Sequence, residues 1–173
     1  MFHDTLTGLP NVLLFIDRLQ HALGQAARRK HQVALVYMEI DNFWQITNTN
    51  SENDRDAVLR ELAARLRSCV LRQEDTVARL CGDQFVMVLG DVDGDRGTKE
   101  VLDKIMTTIR QKFRVAGKEL AVSASIGASL FPNDGEEWSP LLRHASILMR
   151  LTKLAGGNGH AYCGSSIGFS AVT

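Results

Sequence analysis

Val33-Ala-Leu-Val-Tyr-Met-Glu-Ile40, followed at once by Asp41, is a short apolar run that ends abruptly in carboxylates. β-Branched and apolar residues on both faces are what a central strand covered by two layers requires. Downstream, Thr76–Leu80 and Gln84–Leu89 predict two further short strands around Cys81-Gly82-Asp83. That spacing is a hairpin with its turn at Gly82-Asp83. Leu120–Phe131 predicts a longer strand, and the small residues Ser123, Ser125, Gly127 and Ser129 within it mark a close approach of another backbone or a ligand.

Helical periodicity fills the gaps between these strands. Residues 11–29 carry Val12, Phe15, Ile16, Leu19, Leu23 and Ala26 on one stripe. After a polar stretch, Asn48 to Asp54, a second helix turns Val58, Leu59, Leu62, Leu66 and Val70 inward. A third follows the polar loop Asp91 to Gly97, with the stripe Val101, Leu102, Ile105, Met106, Ile109 and Phe113. The last helix has Ser139 as N-cap, Pro140 at the first helical position and Gly156 past its end. The order α-β-α-β-β-α-β-α combines hairpin signals with helical crossovers. It predicts an α+β domain over residues 1–163, one central, mainly antiparallel sheet flanked by helices, with 164–173 as a tail or linker.

The 173 residues suit one domain, and 45% hydrophobic with 23% charged residues is ordinary for a globular protein with a sizeable core. Twenty basic and twenty acidic residues cancel. That balance excludes a general nucleic-acid coat while leaving room for a local nucleotide site. No apolar run approaches the roughly 20 residues of a membrane span, and no signal peptide is visible. Three cysteines, Cys69, Cys81 and Cys163, form no CxxC pair, which fits a reducing cytoplasm. The five histidines show no metal spacing. Asp91-Val-Asp-Gly-Asp95 has its glycine too early for a calcium loop and Leu102 at the twelfth position, so it reads as a solvated loop. Gly156-Gly-Asn-Gly159 reads as a helix stop and turn.

Two strand-end carboxylates, Glu39 and Asp41, and the hairpin residue Asp83 are candidates for chemistry. Facing each other across neighbouring strands, such groups offer Mg²⁺ the hard oxygens it prefers; taken one by one, they are also ordinary solvated strand ends and a turn residue.

Read together, the segments resemble the diguanylate cyclase (GGDEF) domain family. Asp4-Thr-Leu-Thr-Gly-Leu-Pro-Asn11 is similar to that family's Asp-x-Leu-Thr-Gly-Leu-x-Asn opening. Glu39-Ile-Asp-Asn-Phe43 is similar to its Asp-x-Asp-x-Phe strand end, and Arg79-Leu-Cys-Gly-Asp-Gln-Phe85 to its namesake Arg-x-Gly-Gly-Asp-Glu-Phe hairpin. Lys153, Gly156 and Asn158 resemble the closing Lys-x-x-Gly-Arg-Asn. The resemblance covers about residues 3–163. It implies a domain in which two GTP molecules, one on each subunit of a dimer, condense to cyclic di-GMP with the help of Mg²⁺. Glu39, Asp83 and the Ile40 carbonyl would then be metal ligands. Gly82 would admit phosphate, Thr47 and Asp56 would meet the guanine edge, and Lys153 would neutralise terminal phosphates.

The departures from the pattern point to a degenerate member. Cys81 stands for the first hairpin glycine and Gln84 for the catalytic-signature glutamate. Trp44 replaces a Lys, Thr47 the guanine-reading Asn, and Gly157 a phosphate-binding Arg; Val12 replaces the Arg after Asn11. Ser51, Glu52 and Arg55 replace Gly, His and Gly in the loop around the base. Each lost charge-assisted contact costs about 1.5–3 kcal/mol, so two additive losses already slow or weaken the reaction by about a hundredfold.

Arg72-Gln-Glu-Asp75 is the only Arg-x-x-Asp in the chain, at the family's inhibitory-site offset from the hairpin. Arg offers guanine a fork and a stacking face, while Asp accepts from its N–H groups; a solvated ion pair is the plain alternative. The expected role is a nucleotide-binding regulatory module, with cyclic di-GMP at Arg72 and Asp75 or GTP at the remnant site. A weak cyclase and a dimerisation module without ligand are the alternatives. The Leu-Phe-Ile-Asp-Arg-Leu run that follows the opening motif resembles copies preceding a phosphodiesterase (EAL) domain, so tethered phosphodiesterase or sensor domains are the expected partners.

Overall fold

The computed structural model describes residues 1–70 and 72–163; the segment 164–173, expected to be a tail, lies outside them. In chain order the elements are α1 (Val12–Arg29), β1 (Val33–Ile40), α2 (Phe43–Thr49), α3 (Glu52–Cys69), β2 (Thr76–Cys81) and β3 (Gln84–Leu89), then α4 (Gly94–Arg110), β4 (Phe113–Val115), β5 (Lys118–Leu120), β6 (Ala124–Phe131), α5 (Trp138–Leu154) and β7 (Gly159–Tyr162). Their boundaries have local causes. The Asn11 side chain accepts from Leu14 N–H at 3.1 Å to start α1, and Ser51 accepts from Asp54 N–H at 3.1 Å to start α3. Arg28 and Arg29 oppose the negative end of the α1 dipole, and Lys30 closes the helix in the left-handed region.

The main sheet runs β2-β3-β1-β6-β7. Every pairing in it is antiparallel except β6 with β7. β1 is therefore central, as its composition requires, and period two divides its side chains between two cores. Ala34, Val36, Met38 and Ile40 join Leu62, Leu66, Leu102 and Ile105 from α3 and α4. Val33 and Leu35 join Phe15, Leu19, Leu23, Leu141 and Ala145 from α1 and α5 on the other face. Phe15 is fully buried, and truncating such a side chain to Ala costs about 3–5 kcal/mol.

The small residues of the predicted long strand have a packing role. A Cβ at Gly127 would run into the backbone of Ala145 and Met149, so α5 lies directly on β6. Ser129 donates to the Leu141 carbonyl at 2.7 Å beside this contact.

Several sequence expectations need correction. The predicted strand from Leu120 is shorter: β6 starts at Ala124, and Leu120 ends β5 in a separate two-stranded ribbon with β4. Phe113 belongs to β4 rather than to the third helix, and Arg65 stacks on its ring at 3.8 Å. The polar stretch Asn48 to Asp54 is not a loop throughout, because α2 runs to Thr49 and α3 begins at Glu52. Likewise α4 starts at Gly94, inside the segment read as loop. The N-cap of α5 is Glu137, not Ser139, which with Pro140 lies within the first turn. Val12, the first residue of α1, is 39% exposed rather than inward. β7 escaped notice because four residues after a glycine-rich turn carry almost no periodicity.

Candidate nucleotide site

The hairpin and the end of β1 meet as the carboxylate reading expects. Ile40 N–H donates to the Asp83 carbonyl at 3.3 Å, and Glu39 is registered opposite Gln84 on one side and Ser125 on the other. Gly82 makes the turn at φ 51°, a region where glycine is favoured. Burial and the neighbouring charge of Glu39 push the Asp83 carboxyl above the usual Asp range.

Residues on the same side of β1 bind one another rather than stand open. Gln84 donates Nε2 to Glu39 Oε2 at 3.1 Å, and Tyr37 Oη donates to Gln84 Oε1 at 3.0 Å. Lys153, near the end of α5, donates to the Ile40 carbonyl at 3.0 Å and lies 3.5 Å from Glu39 Oε1. The resemblance gave Lys153 to phosphate; here it is turned onto the strand end and onto the carbonyl expected to hold metal. Glu39, Asp83 and the Ile40 carbonyl are hard oxygens that suit one Mg²⁺ in kind. Among the described residues, however, no three His, Cys, Asp or Glu side chains form a metal-holding group. An ion at the Ile40 carbonyl would share that oxygen with Lys153 or displace it.

Asp41, by contrast, is a structural hub. It accepts from Ser123 Oγ at 2.8 Å, Ser125 Oγ at 2.6 Å and Asn158 N–H at 2.7 Å. Gly157, where the family pattern has Arg, sits at φ +73°, and a Cβ there would come 2.8 Å from the Asp41 carboxylate. The seryl partners and Tyr37 were missed by sequence reasoning. Period two from Glu39 places Tyr37 on its face, and the small residues of β6 were the trace of Ser125.

The residues expected to read guanine are also paired internally. Thr47 Oγ1 donates to the Trp44 carbonyl at 2.8 Å. Asp56 accepts from Arg55 Nε and Nη2 at 3.4 and 3.3 Å. Trp44 itself is 61% exposed.

The opening motif serves to brace the hairpin. Arg79 donates to both Asp4 oxygens at 3.0 and 3.1 Å and through Nε to the Gly82 carbonyl at 2.9 Å. Thr7 adds its N–H and hydroxyl to Asp4 at 2.8 and 2.6 Å. Burial works to raise the Asp4 pKa, but the bonds from Thr7 and Arg79 hold it below the usual range.

Arg72 and Asp75 lie on the far side of the hairpin from this cleft, at the entry to β2. They line one cavity of about 380 Å³ together with Gly90, Asp91, Val101 and Lys104. Among the described residues, the side-chain contacts of Arg72 all fall on Nη1, which donates to the Gly90 and Asp91 carbonyls at 2.9 and 3.0 Å. Asp75 Oδ1 accepts from Gly90 N–H at 2.9 Å. Burial raises the Asp75 pKa against the lowering effect of that bond and of Arg72.

A family model described as "Diguanylate cyclase, GGDEF domain" matches residues 1–159. The chain is 35% identical over 169 residues to the bifunctional diguanylate cyclase/cyclic di-GMP phosphodiesterase MucR of Pseudomonas aeruginosa, covering 98% of this chain and 24% of that protein. It is 33% identical to the cyclic di-GMP phosphodiesterase NbdA of the same organism, covering 90% of this chain and 20% of NbdA. It thus spans a quarter or less of these two relatives. The solved GGDEF domain of TpbB (YfiN), also from P. aeruginosa, superposes with a TM-score of 0.89 at 30% identity, over 92% of this chain and 93% of that one.

Proposed function

Since the chain belongs to the diguanylate cyclase (GGDEF) family and is a GGDEF domain of cyclic di-GMP signalling, we propose that it binds cyclic di-GMP as a regulatory module rather than producing it. The observation that carries this reading is the shared cavity of Arg72 and Asp75. About 380 Å³ falls within the usual range for small-molecule sites, about 300–1,000 Å³. Arg72 is half exposed and its side chain is anchored through Nη1 alone among the described residues, so the rest of its fork would meet a guanine O6/N7 edge while Asp75 supplies the acceptor for N–H donors. The cleft at the end of β1 supports the other half of the reading. Its Glu39 carboxylate is compensated by an amide and an ammonium from the chain itself, and the residues expected to read the base are internally bonded.

Phosphodiesterase or sensor domains tethered to this one are the partners proposed to receive the signal, with a homodimer as the form that would pair two such modules. The compartment proposed is the cytoplasm; no described helix is long and apolar enough to cross a membrane. A second reading, a weak cyclase using Mg²⁺, is favoured by one observation: Glu39 and Asp83 sit on adjacent strand ends, joined by the Ile40–Asp83 backbone bond.

Incubating the protein with GTP and Mg²⁺ and measuring cyclic di-GMP separates the two. The proposal expects no product above that of Asp83→Ala; robust synthesis abolished by Asp83→Ala would replace it with the cyclase.

A further inference from the structure

A further cavity, of about 510 Å³, opens between the middle of α1 and the start of α5, again within the usual range for small-molecule sites, about 300–1,000 Å³. Phe131 lines it and pairs with Val33, the first residue of β1. The cavity therefore stands roughly 20 Å along the strand from Glu39. It shares no lining residue with the Arg72 cavity, which abuts α4 on the other face of the sheet.

The wall is apolar and aromatic. Leu23 and Phe131 are each 6% exposed, and Trp138, half-buried, is the first residue of α5. Two exposed carboxylates, Glu136 and Glu137, complete the lining. Among the described residues neither carboxylate has a hydrogen-bond or ion-pair partner. Glu137 is the N-cap of α5, yet its side chain makes no capping bond. The helix end carries about half a positive charge, which the two carboxylates exceed.

Gly24 keeps this space open. It lies inside α1, where glycine is disfavoured relative to alanine. Packing does not demand it: beyond the backbone of the helix itself, a Cβ there would meet only Arg28 Nη1, in ordinary contact at 3.6 Å. Arg28 in turn forms no ion pair with Glu136 or Glu137 among the described residues.

We propose that this cavity binds a small organic cation, an ammonium or guanidinium group carried on an apolar body. The charged group pairs with Glu136 and Glu137 and is attracted by the indole of Trp138, the aromatic ring that favours cations most. The body covers Leu23 and Phe131, whose apolar wall rewards its removal from water. An anionic ligand of the same shape meets two like charges instead. A volume suited to a whole small molecule makes the occupant a free ligand rather than one side chain of a docked peptide.

Calorimetric titration with three probes that share one body tests this: 2-phenylethylammonium, neutral 2-phenylethanol and anionic phenylacetate. Wild type should bind the ammonium saturably, with a Kd of about 1 mM or below. It should bind the alcohol about tenfold more weakly, and phenylacetate more weakly still. Glu136→Gln/Glu137→Gln should bring the ammonium down to the affinity of the alcohol and leave the alcohol unchanged. Gly24→Leu should fill the cavity and lose both probes, while melting no lower than wild type because leucine favours a helix over glycine. Absence of saturable ammonium binding to wild type would overturn the proposal. So would equal affinity for ammonium and alcohol, or ammonium affinity undiminished in the glutamine variant or in Gly24→Leu. Titration of Gly24→Leu with cyclic di-GMP should match wild type, so the claims for the two cavities fail separately.

Discussion

Gln84 donates its amide to Glu39 across the β1–β3 pair at 3.1 Å, from the position registered directly opposite it. The carboxylate accepts only, so the amide nitrogen must face it, and Tyr37 holds the amide oxygen from behind at 3.0 Å. Lys153 covers the other Glu39 oxygen at 3.5 Å. The Glu39 carboxylate is thus balanced by side chains of the chain itself.

Restoring the family residue should expose that balance. Gln84→Glu places like charges directly opposite one another, which destabilises a strand pair, and removes the amide bond as well. We expect a loss of about 1–2 kcal/mol in EDTA, or about 3–8 °C in melting temperature, with partial recovery in Mg²⁺. Scanning calorimetry in both buffers checks it. A variant melting at or above wild type in EDTA would show that the Glu39–Gln84 bond is not what holds the cleft.

The Asp4–Arg79 pair should contribute measurably to stability, because its side chains are only 20% and 13% exposed. The folded-state pKa of Asp4 is depressed. Its contribution is therefore complete above the unfolded value, about 3.9, and is lost as pH falls through the lower folded value. Asp4→Asn should cost about 1.5–3 kcal/mol at pH 7, and the gap between variant and wild type should narrow below about pH 4. Urea unfolding at several pH values measures this; a gap independent of pH would remove the charge from the explanation.

The sequence carried the architecture as far as its periodic patterns reached. β1 announces itself by being apolar on both faces, and the hairpin by two short strands around Gly82. The contact of α5 with β6 was foreshadowed by Gly127, where only a residue without a side chain fits. Short elements were illegible for the same reason: α2, β4, β5 and β7 span three to seven residues, too few for a period to emerge. At the site, the carboxylates were visible as residue types, but which atoms pair was not. Arg55 was noted only as a departure from glycine, and nothing in the sequence says that it turns to Asp56. The occupation of Ile40 by Lys153 depends on where α5 ends in space, 113 residues away along the chain.

Binding at the Arg72 cavity should weaken in mildly acid solution. Guanine N–H donors bond more strongly to an ionised acceptor, and burial raises the Asp75 pKa above its ordinary value. Protonation therefore competes with ligand before an ordinary aspartate, near about 3.9, would respond. Cyclic di-GMP affinity should begin to fall at a higher pH than an ordinary aspartate would set, and the weaker binding of Asp75→Asn should stay flat over the same titration. Equal slopes for the two proteins would assign the pH dependence to another group.

The most direct test of the regulatory reading is calorimetric titration of cyclic di-GMP into wild type and Arg72→Ala. The Arg72 side chain is half exposed and, among the described residues, bonded only to the Gly90 and Asp91 loop, so its removal should leave the fold intact. Loss of a bidentate guanine contact costs about 1–3 kcal/mol, roughly a five- to hundredfold drop in affinity. Arg72→Lys should lose nearly as much, because an ammonium keeps the charge without the fork or the stacking plane. The account predicts saturable binding by wild type and that drop in both variants. A wild type that does not bind cyclic di-GMP, or an Arg72→Ala variant that binds it as tightly as wild type, would contradict it.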